Sequence, residues 1–196
     1  GQYAYLTPGL GLAGGNLERD LATVIRLAEA TGSESGLIRS FVNNSSHCRD
    51  WALRTLHAQL LAERPDAVIG VLGLAYKENT HSTRNSPSLA LIRHLARWQL
   101  KIYDPVVPAG AVNHPRAIAC HSALEAASGV DALVIMTPWP QFRELKAVDL
   151  ARAMRGRIVI DPYRVLDGAA GAAAGLDYFT LGAPPLRGAH PKNASA

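Results

Sequence analysis

From residue 66 to about residue 183 the chain alternates short apolar runs with helix-patterned stretches, and few folds accept that rhythm. Ala67-Val68-Ile69-Gly70-Val71-Leu72-Gly73 and Asp131-Ala132-Leu133-Val134-Ile135-Met136 are apolar without alternation. That is the pattern of strands covered on both faces, as in a buried parallel sheet. Lys101-Ile102-Tyr103-Asp104-Pro105, 117–120, 157–161 and 177–181 read as further strands. Between them, Pro87 opens a helix with Leu89, Leu91, Ile92 and Leu95 on one face. Ser122 caps a short helix through Ala126, and 145–154 is again helical. The expected fold class is α/β, with a doubly wound, mostly parallel, Rossmann-like sheet.

The first 65 residues differ. Residues 1–15 are rich in glycine and aromatic residues and read as a loop threading near a site. From Leu17 an apolar stripe of Leu21, Val24, Ile25, Leu27 and Ala28 predicts a helix, with Thr31-Gly32 as its stop. Ser33 or Ser35 caps a second helix. Its apolar positions run from Leu37 through Trp51 to Leu60-Leu61, and it ends near Arg64-Pro65. Trp51 and these leucines are read as packing residues. The organisation expected is a helical central segment at 1–65, a sheet domain at 66–183 and a flexible tail at 184–196.

Composition narrows the function. The 196 residues are 48% hydrophobic and 18% charged, with a formal charge of +4 and a pI near 9.3. Acidic and basic residues are interspersed and there is no polybasic block, which argues against nucleic acid as a partner. Mild basicity suits a protein that binds a phosphorylated small molecule. Cys48 and Cys120 form neither a disulfide framework nor a zinc pattern, so no metal is expected and the cytoplasm is the expected address. No apolar run has transmembrane length, so no membrane partner is expected.

Three segments carry chemistry. The first is Pro8-Gly9-Leu10-Gly11-Leu12-Ala13-Gly14-Gly15-Asn16-Leu17-Glu18-Arg19-Asp20, where glycines allow positive φ and close approach to a ligand. Asn16 also suits a helix N-cap. The second, Gly73-Leu74-Ala75-Tyr76-Lys77-Glu78-Asn79-Thr80-His81-Ser82-Thr83-Arg84-Asn85-Ser86-Pro87, follows a strand and opens a helix, where open α/β sheets place ligands. It has no GxGxxG. Lys77 offers a point charge and Arg84 a fork of donors. His81, with no second ligand at metal spacing, reads as a loop hydrogen-bonder. The third is Asp161-Pro162-Tyr163-Arg164-Val165-Leu166-Asp167.

Taken together, these segments resemble the UDP-glucose/GDP-mannose dehydrogenase family. The family's loop reads roughly PGLGFGGSCxxKD, its second element GLAFKPNTDDxRESP and its third DGRxxLD. Tyr103-Asp104-Pro105 and Thr137-Pro138-Trp139-Pro140-Gln141-Phe142 are similar to its YDP and TEWxxF. The resemblance covers about residues 3–182 and lacks the family's N-terminal NAD-binding domain with its catalytic lysine and asparagine. It implies that Leu12, Gly14, Tyr76, Lys77 and Arg164 bind a UDP- or GDP-sugar. It implies that Arg19 and Arg84 lie near the cofactor NAD, held mainly by a domain outside this chain. It implies that Asp20 positions water or a proton relay. In the family a cysteine captures the aldehyde made by the first oxidation, allowing a second. Asn16 stands at that position, and an amide has no nucleophilic lone pair for such an adduct.

Two readings follow, with a third beside them. The chain is the C-terminal part of an NAD-dependent nucleotide-sugar 6-dehydrogenase, of the kind that serves polysaccharide biosynthesis, and is inactive alone. The alternative is a non-catalytic nucleotide-sugar-binding module. An assembly role is the third, since the amphipathic 35–64 stretch suits a homodimer formed through the central helix.

Overall fold

The computed structural model describes residues 9–189 of the chain. Pro8 of the glycine-rich segment, and residues 190–196 of the expected tail, lie outside them.

Two helices come first, α1 (Asn16–Thr31) and α2 (Gly36–Arg49). The stop at Thr31-Gly32 forms as expected. Gly32 takes φ 66°, and the N–H of Ser33 reaches back to the Ala28 carbonyl at 2.8 Å. Ser35 occupies the cap position of α2, but its side chain does not cap. The Glu34 carboxylate accepts the Gly36 N–H instead, at 2.7 Å. The single helix expected from 35 to 64 is broken. Asp50 leaves helical geometry, α3 (Trp51–Leu56) restarts, and a π-helical turn (His57–Leu61) widens its end. Neither α1 nor α2 buries any residue. Leu17, Val24, Leu27, Leu37, Phe41 and Val42 are exposed along them.

The sheet domain then runs β1 (Val68–Leu72), α4 (Pro87–His94), β2 (Gln99–Tyr103), a 3-10 turn (Ala109–Ala111), β3 (Ala117–Ala119), α5 (Ala123–Ala127) and β4 (Ala132–Ile135). A second 3-10 turn (Pro140–Glu144), α6 (Ala147–Ala153), β5 (Ile158–Ile160), α7 (Gly168–Ala173) and β6 (Asp177–Phe179) complete it. Strand order is β3-β2-β1-β4-β5-β6, and all five pairings are parallel. The chain moves one way from β1 to β3, then crosses back to β4, so the switch point lies between β1 and β4. Right-handed crossovers put α4 on one face and α5, α6 and α7 on the other. α3 packs beside α4, and α5, α6 and α7 touch in sequence.

The apolar runs form the core as read. Ile69, Val71, Leu72, Leu100, Ile102, Leu133, Val134, Ile135 and Ile160 are all buried. Gly70 sits mid-strand because α5 packs so close: a Cβ there would lie 2.7 Å from the Ala126 carbonyl oxygen. Helix α7 has no apolar periodicity, since its residues are only alanine and glycine. It starts because the Asp167 side chain accepts the N–H groups of Ala169 and Ala170, at 2.9 and 3.0 Å. The second strand is shifted from its expected bounds, and Asp104 lies beyond its end. Residues 184–189, read as tail, are tied down in part. Leu186 exchanges both backbone hydrogen bonds with Tyr178, and Arg187 pairs with Asp177 and stacks on Phe179.

At the amino-terminal ends of the two central strands, Asp131 joins β4 to β1. Its carboxylate accepts the Val68 N–H at 2.8 Å and pairs with Arg155 and Arg64. Burial disfavours its charge, but the hydrogen bonds from Arg155 and Val68, with the two arginine charges, outweigh that and hold the carboxyl below its ordinary range. A depressed carboxyl stabilises the fold above the unfolded pKa, and that contribution is lost as pH falls through the folded value. Asp131→Asn should cost about 1–3 kcal/mol at pH 7. Urea unfolding at pH 7 and pH 3 checks this, with the gap between variant and parent shrinking in acid.

Candidate functional site

The loop after β1 meets the switch point, and its backbone is irregular there. Gly73 takes φ 94°, and a Cβ on it would lie 2.5 Å from the Thr137 side chain. Leu74 and Ala75 are fully buried, so their peptide groups need partners inside the protein. Asp104 Oδ2 accepts the N–H of Leu74 at 2.6 Å and of Ala75 at 3.1 Å. The carbonyls of Gly73, Leu74 and Ala75 accept from Ser88, Ser86 and Thr137 hydroxyls, at 2.7, 2.8 and 2.7 Å. Asp104 also accepts from Trp139 Nε1 at 3.0 Å, and its other oxygen takes the Val106 and Val107 N–H groups at 2.8 Å each. Ser86, Ser88 and Thr137 were not singled out from sequence. The Ser-Pro start of α4 was the available signal, with Ser86 as its N-cap accepting the Ser88 N–H. The loop leaves this segment with Tyr76 half-buried and Lys77 exposed, the ammonium 5.7 Å from the Tyr76 ring centroid.

An acid ending the second strand is the group that takes the ribose in an ordinary dinucleotide fold. Here that acid is fully engaged by five N–H donors, and the first turn has no GxGxxG. The residues of this sheet therefore do not fit NAD at the usual seat, and no step through NAD is derived from them.

The turn after β5 is built on a second acid. Asp161 is fully buried and accepts from the Tyr163 N–H at 3.2 Å, the Leu166 N–H at 2.8 Å and the Tyr178 hydroxyl at 2.8 Å. Arg164, between the two backbone donors, is exposed and takes φ 54°. Burial pushes the Tyr163 hydroxyl up to about 12, against a hydrogen bond from the Leu10 backbone.

The glycine-rich loop lies across both turns. A Cβ on Gly9 would be 2.9 Å from the Tyr163 ring, one on Gly14 3.0 Å from Tyr76, and one on Gly15 2.5 Å from Arg84 Nε. Gly14 N–H donates to the Arg84 carbonyl at 3.1 Å, and Asn85 Nδ2 to the Gly14 carbonyl at 2.8 Å. Ser45 Oγ on α2 accepts the Leu12 N–H at 2.7 Å. These glycines come close to the protein's own side chains.

Three loops therefore converge at the carboxyl edge of the sheet, bringing Gly14, Tyr76, Lys77, Arg84 and Arg164 to one region. Leu12 instead lines a groove of about 520 Å³ between α1 and α2. Asn16 is the first residue of α1 and exposed. The cap is Gly15, so the N-cap reading of Asn16 does not hold. Arg19 and Asp20 pair with each other at 2.9 Å on an exposed part of α1. Among the described residues no group of three or more His, Cys, Asp or Glu could hold a metal, and no helix is long and apolar enough to cross a membrane.

Comparison with known proteins agrees with this geometry. Residues 70–168 match the model of the UDP-glucose/GDP-mannose dehydrogenase family, UDP binding domain. The chain is 30% identical to UDP-glucose 6-dehydrogenase of Pseudomonas aeruginosa over 201 residues, covering 98% of this chain and 44% of that protein. The solved UDP-D-ManNAc dehydrogenase of Pyrococcus horikoshii superposes with a TM-score of 0.73 at 27% identity, over 92% of this chain and 42% of that one. A UDP-glucose dehydrogenase from Pyrobaculum islandicum does so with a TM-score of 0.70 at 26% identity, over 83% of this chain and 38% of that one. The chain spans less than half the length of these relatives. It belongs to the UDP-glucose/GDP-mannose dehydrogenase family and corresponds to that family's C-terminal domain.

Proposed function

We propose that this chain is the nucleotide-sugar-binding portion of a nucleotide-sugar 6-dehydrogenase acting on a UDP- or GDP-sugar. The supporting observation is the convergence of Tyr76, Lys77 and Arg164 on loops at one sheet edge, with Gly14 packed against Tyr76. Lys77 and Arg164 meet the diphosphate, and Tyr76 meets the nucleotide-sugar beside them. Arg84, lying across Gly15, is the residue assigned to NAD presented by the rest of the parent protein. Asp20 orders water or a proton on α1. Two free cysteines suit a reducing, cytoplasmic setting.

Asn16 sets the product. Oxidising the primary alcohol to an aldehyde needs no thiol, whereas covalent capture of that aldehyde does. The exposed side chain at the start of α1 can hydrogen-bond a carbonyl or its hydrate but cannot attack it. The second reading, a binding module without chemistry, draws on the same exchange and on the fully engaged Asp104. The uncovered apolar residues of α1 and α2 support a homodimer formed through these helices.

Titration calorimetry of the chain with UDP- and GDP-sugars tests the binding reading. One nucleotide class should bind, and Lys77→Ala and Arg164→Gly should each weaken it about tenfold. No binding by either class would end both readings. In the parent protein, chromatography of the products should show aldehyde in excess over acid, and Asn16→Cys should move the ratio toward acid. Rapid, complete conversion to acid by the parent would overturn the role given to Asn16. Sedimentation of the chain should show a dimer, and Phe41→Glu should return it to monomer.

A further inference from the structure

Arg164 holds a conformation that its residue type disfavours. At φ 54° an L-residue with a side chain is in the sterically disfavoured left-handed region, so the surroundings must impose it. They do so through one buried acid. The N–H groups of Tyr163 and Leu166, on either side of Arg164, both point to Asp161, and the Arg164 N–H lies 3.4 Å from the Asp161 carbonyl. The carboxylate is held from the next strand by the Tyr178 hydroxyl at 2.8 Å, which is also 3.3 Å from the Leu166 carbonyl.

Tyr178 has little freedom to move. A Cβ on Gly168 would lie 2.5 Å from its ring, so the start of α7 lies directly against it. Its backbone is bonded both ways to Leu186, at 2.8 and 2.9 Å. Burial raises the Asp161 carboxyl, against the hydrogen bonds from Leu166 and Tyr178. Burial and the neighbouring Asp161 charge raise the Tyr178 hydroxyl far above its ordinary value, so it keeps its proton and donates. Arg164 thus combines an exposed head with a rigidly held backbone, the arrangement that lowers the cost of ordering a guanidinium around a ligand.

We propose that the Tyr178 hydroxyl and the Asp161 carboxylate are a positioning pair for Arg164, aiming its guanidinium at the phosphates of a nucleoside diphosphate. This rests on the reading of Arg164 as a nucleotide-sugar ligand. The pair touches no substrate itself. Its effect reaches the ligand only through Arg164, and only where the ligand carries phosphate.

Ligand-observed NMR with UDP and with uridine, on the chain and its variants, tests this. Tyr178→Phe keeps the buried ring and removes one hydroxyl. It should weaken UDP about tenfold and leave uridine unchanged, measured well below a thermal midpoint that falls because a buried carboxylate loses a donor. Arg164→Gly accepts the positive φ, and adding Tyr178→Phe to it should cost no further UDP affinity. Equal weakening of UDP and uridine, or a fully additive loss in the double variant, would overturn the positioning role while leaving nucleotide binding intact. Failure of the parent chain to bind UDP would overturn both. Should Tyr178→Phe not fold, Asp161→Asn is read in the same way, since its amide oxygen cannot accept all of the donors that the carboxylate does.

Discussion

The Asp104 carboxylate is the interaction on which the rest of the site depends. At the switch point between β1 and β4 the chain must leave the sheet through a buried, non-repetitive segment. Ladder bonds end there, and each unpaired peptide group in that position would cost the desolvation of a polar group. Asp104 supplies acceptors for the two N–H groups, and Ser86, Ser88 and Thr137 supply donors for the three carbonyls. With the segment satisfied, the loop can project Tyr76 and Lys77 beyond the sheet edge. The same carboxylate receives Trp139, so it also fixes the turn after β4.

That arrangement has a chemical consequence. A doubly wound sheet has one preferred crevice, and its second-strand acid commonly serves the ligand. Here the acid is engaged by protein, and Tyr76, Lys77 and Arg164 stand on the loops above it. Asp161, after β5, repeats the device three strands along the sheet: a buried carboxylate collects donors from a turn and leaves a cation exposed at its tip. The glycine-rich loop then bridges the two turns. Its glycines touch Tyr76, Arg84 and Tyr163 so closely that any side chain would separate them. One rigid edge results, made of three loops that are far apart in sequence.

Much of the sheet was legible beforehand, because parallel strands covered on both faces must be continuously apolar. Val68–Leu72 and Ala132–Ile135 lie inside the runs read as strands. Other elements carried no such signal. Helix α7 is alanine and glycine, so its register depends on the Asp167 cap and on contact with Tyr178. The break at Asp50 interrupts a stripe that remains amphipathic on both sides. At the candidate site, Tyr76, Lys77 and Arg164 are proposed on motif resemblance. The hydroxyls beneath them were not, since a serine that satisfies a buried carbonyl looks in sequence like any loop serine.

By itself the sequence determined the fold class, the family resemblance and the absence of a thiol at position 16. Each depends on residue type and order alone. Periodicity encodes burial, a motif encodes a local turn, and an amide is not a nucleophile wherever it stands. Only the tertiary structure decided which groups share an edge and which are already engaged. It showed Asp104 committed to five donors, Asn16 as an exposed first-turn residue rather than a cap, and Arg164 held in a left-handed conformation by an acid and a tyrosine from the next strand. Hydrogen bonds between separate strands' ends fix Asp104 and Arg164, and their geometry exists only once the sheet has brought those ends together.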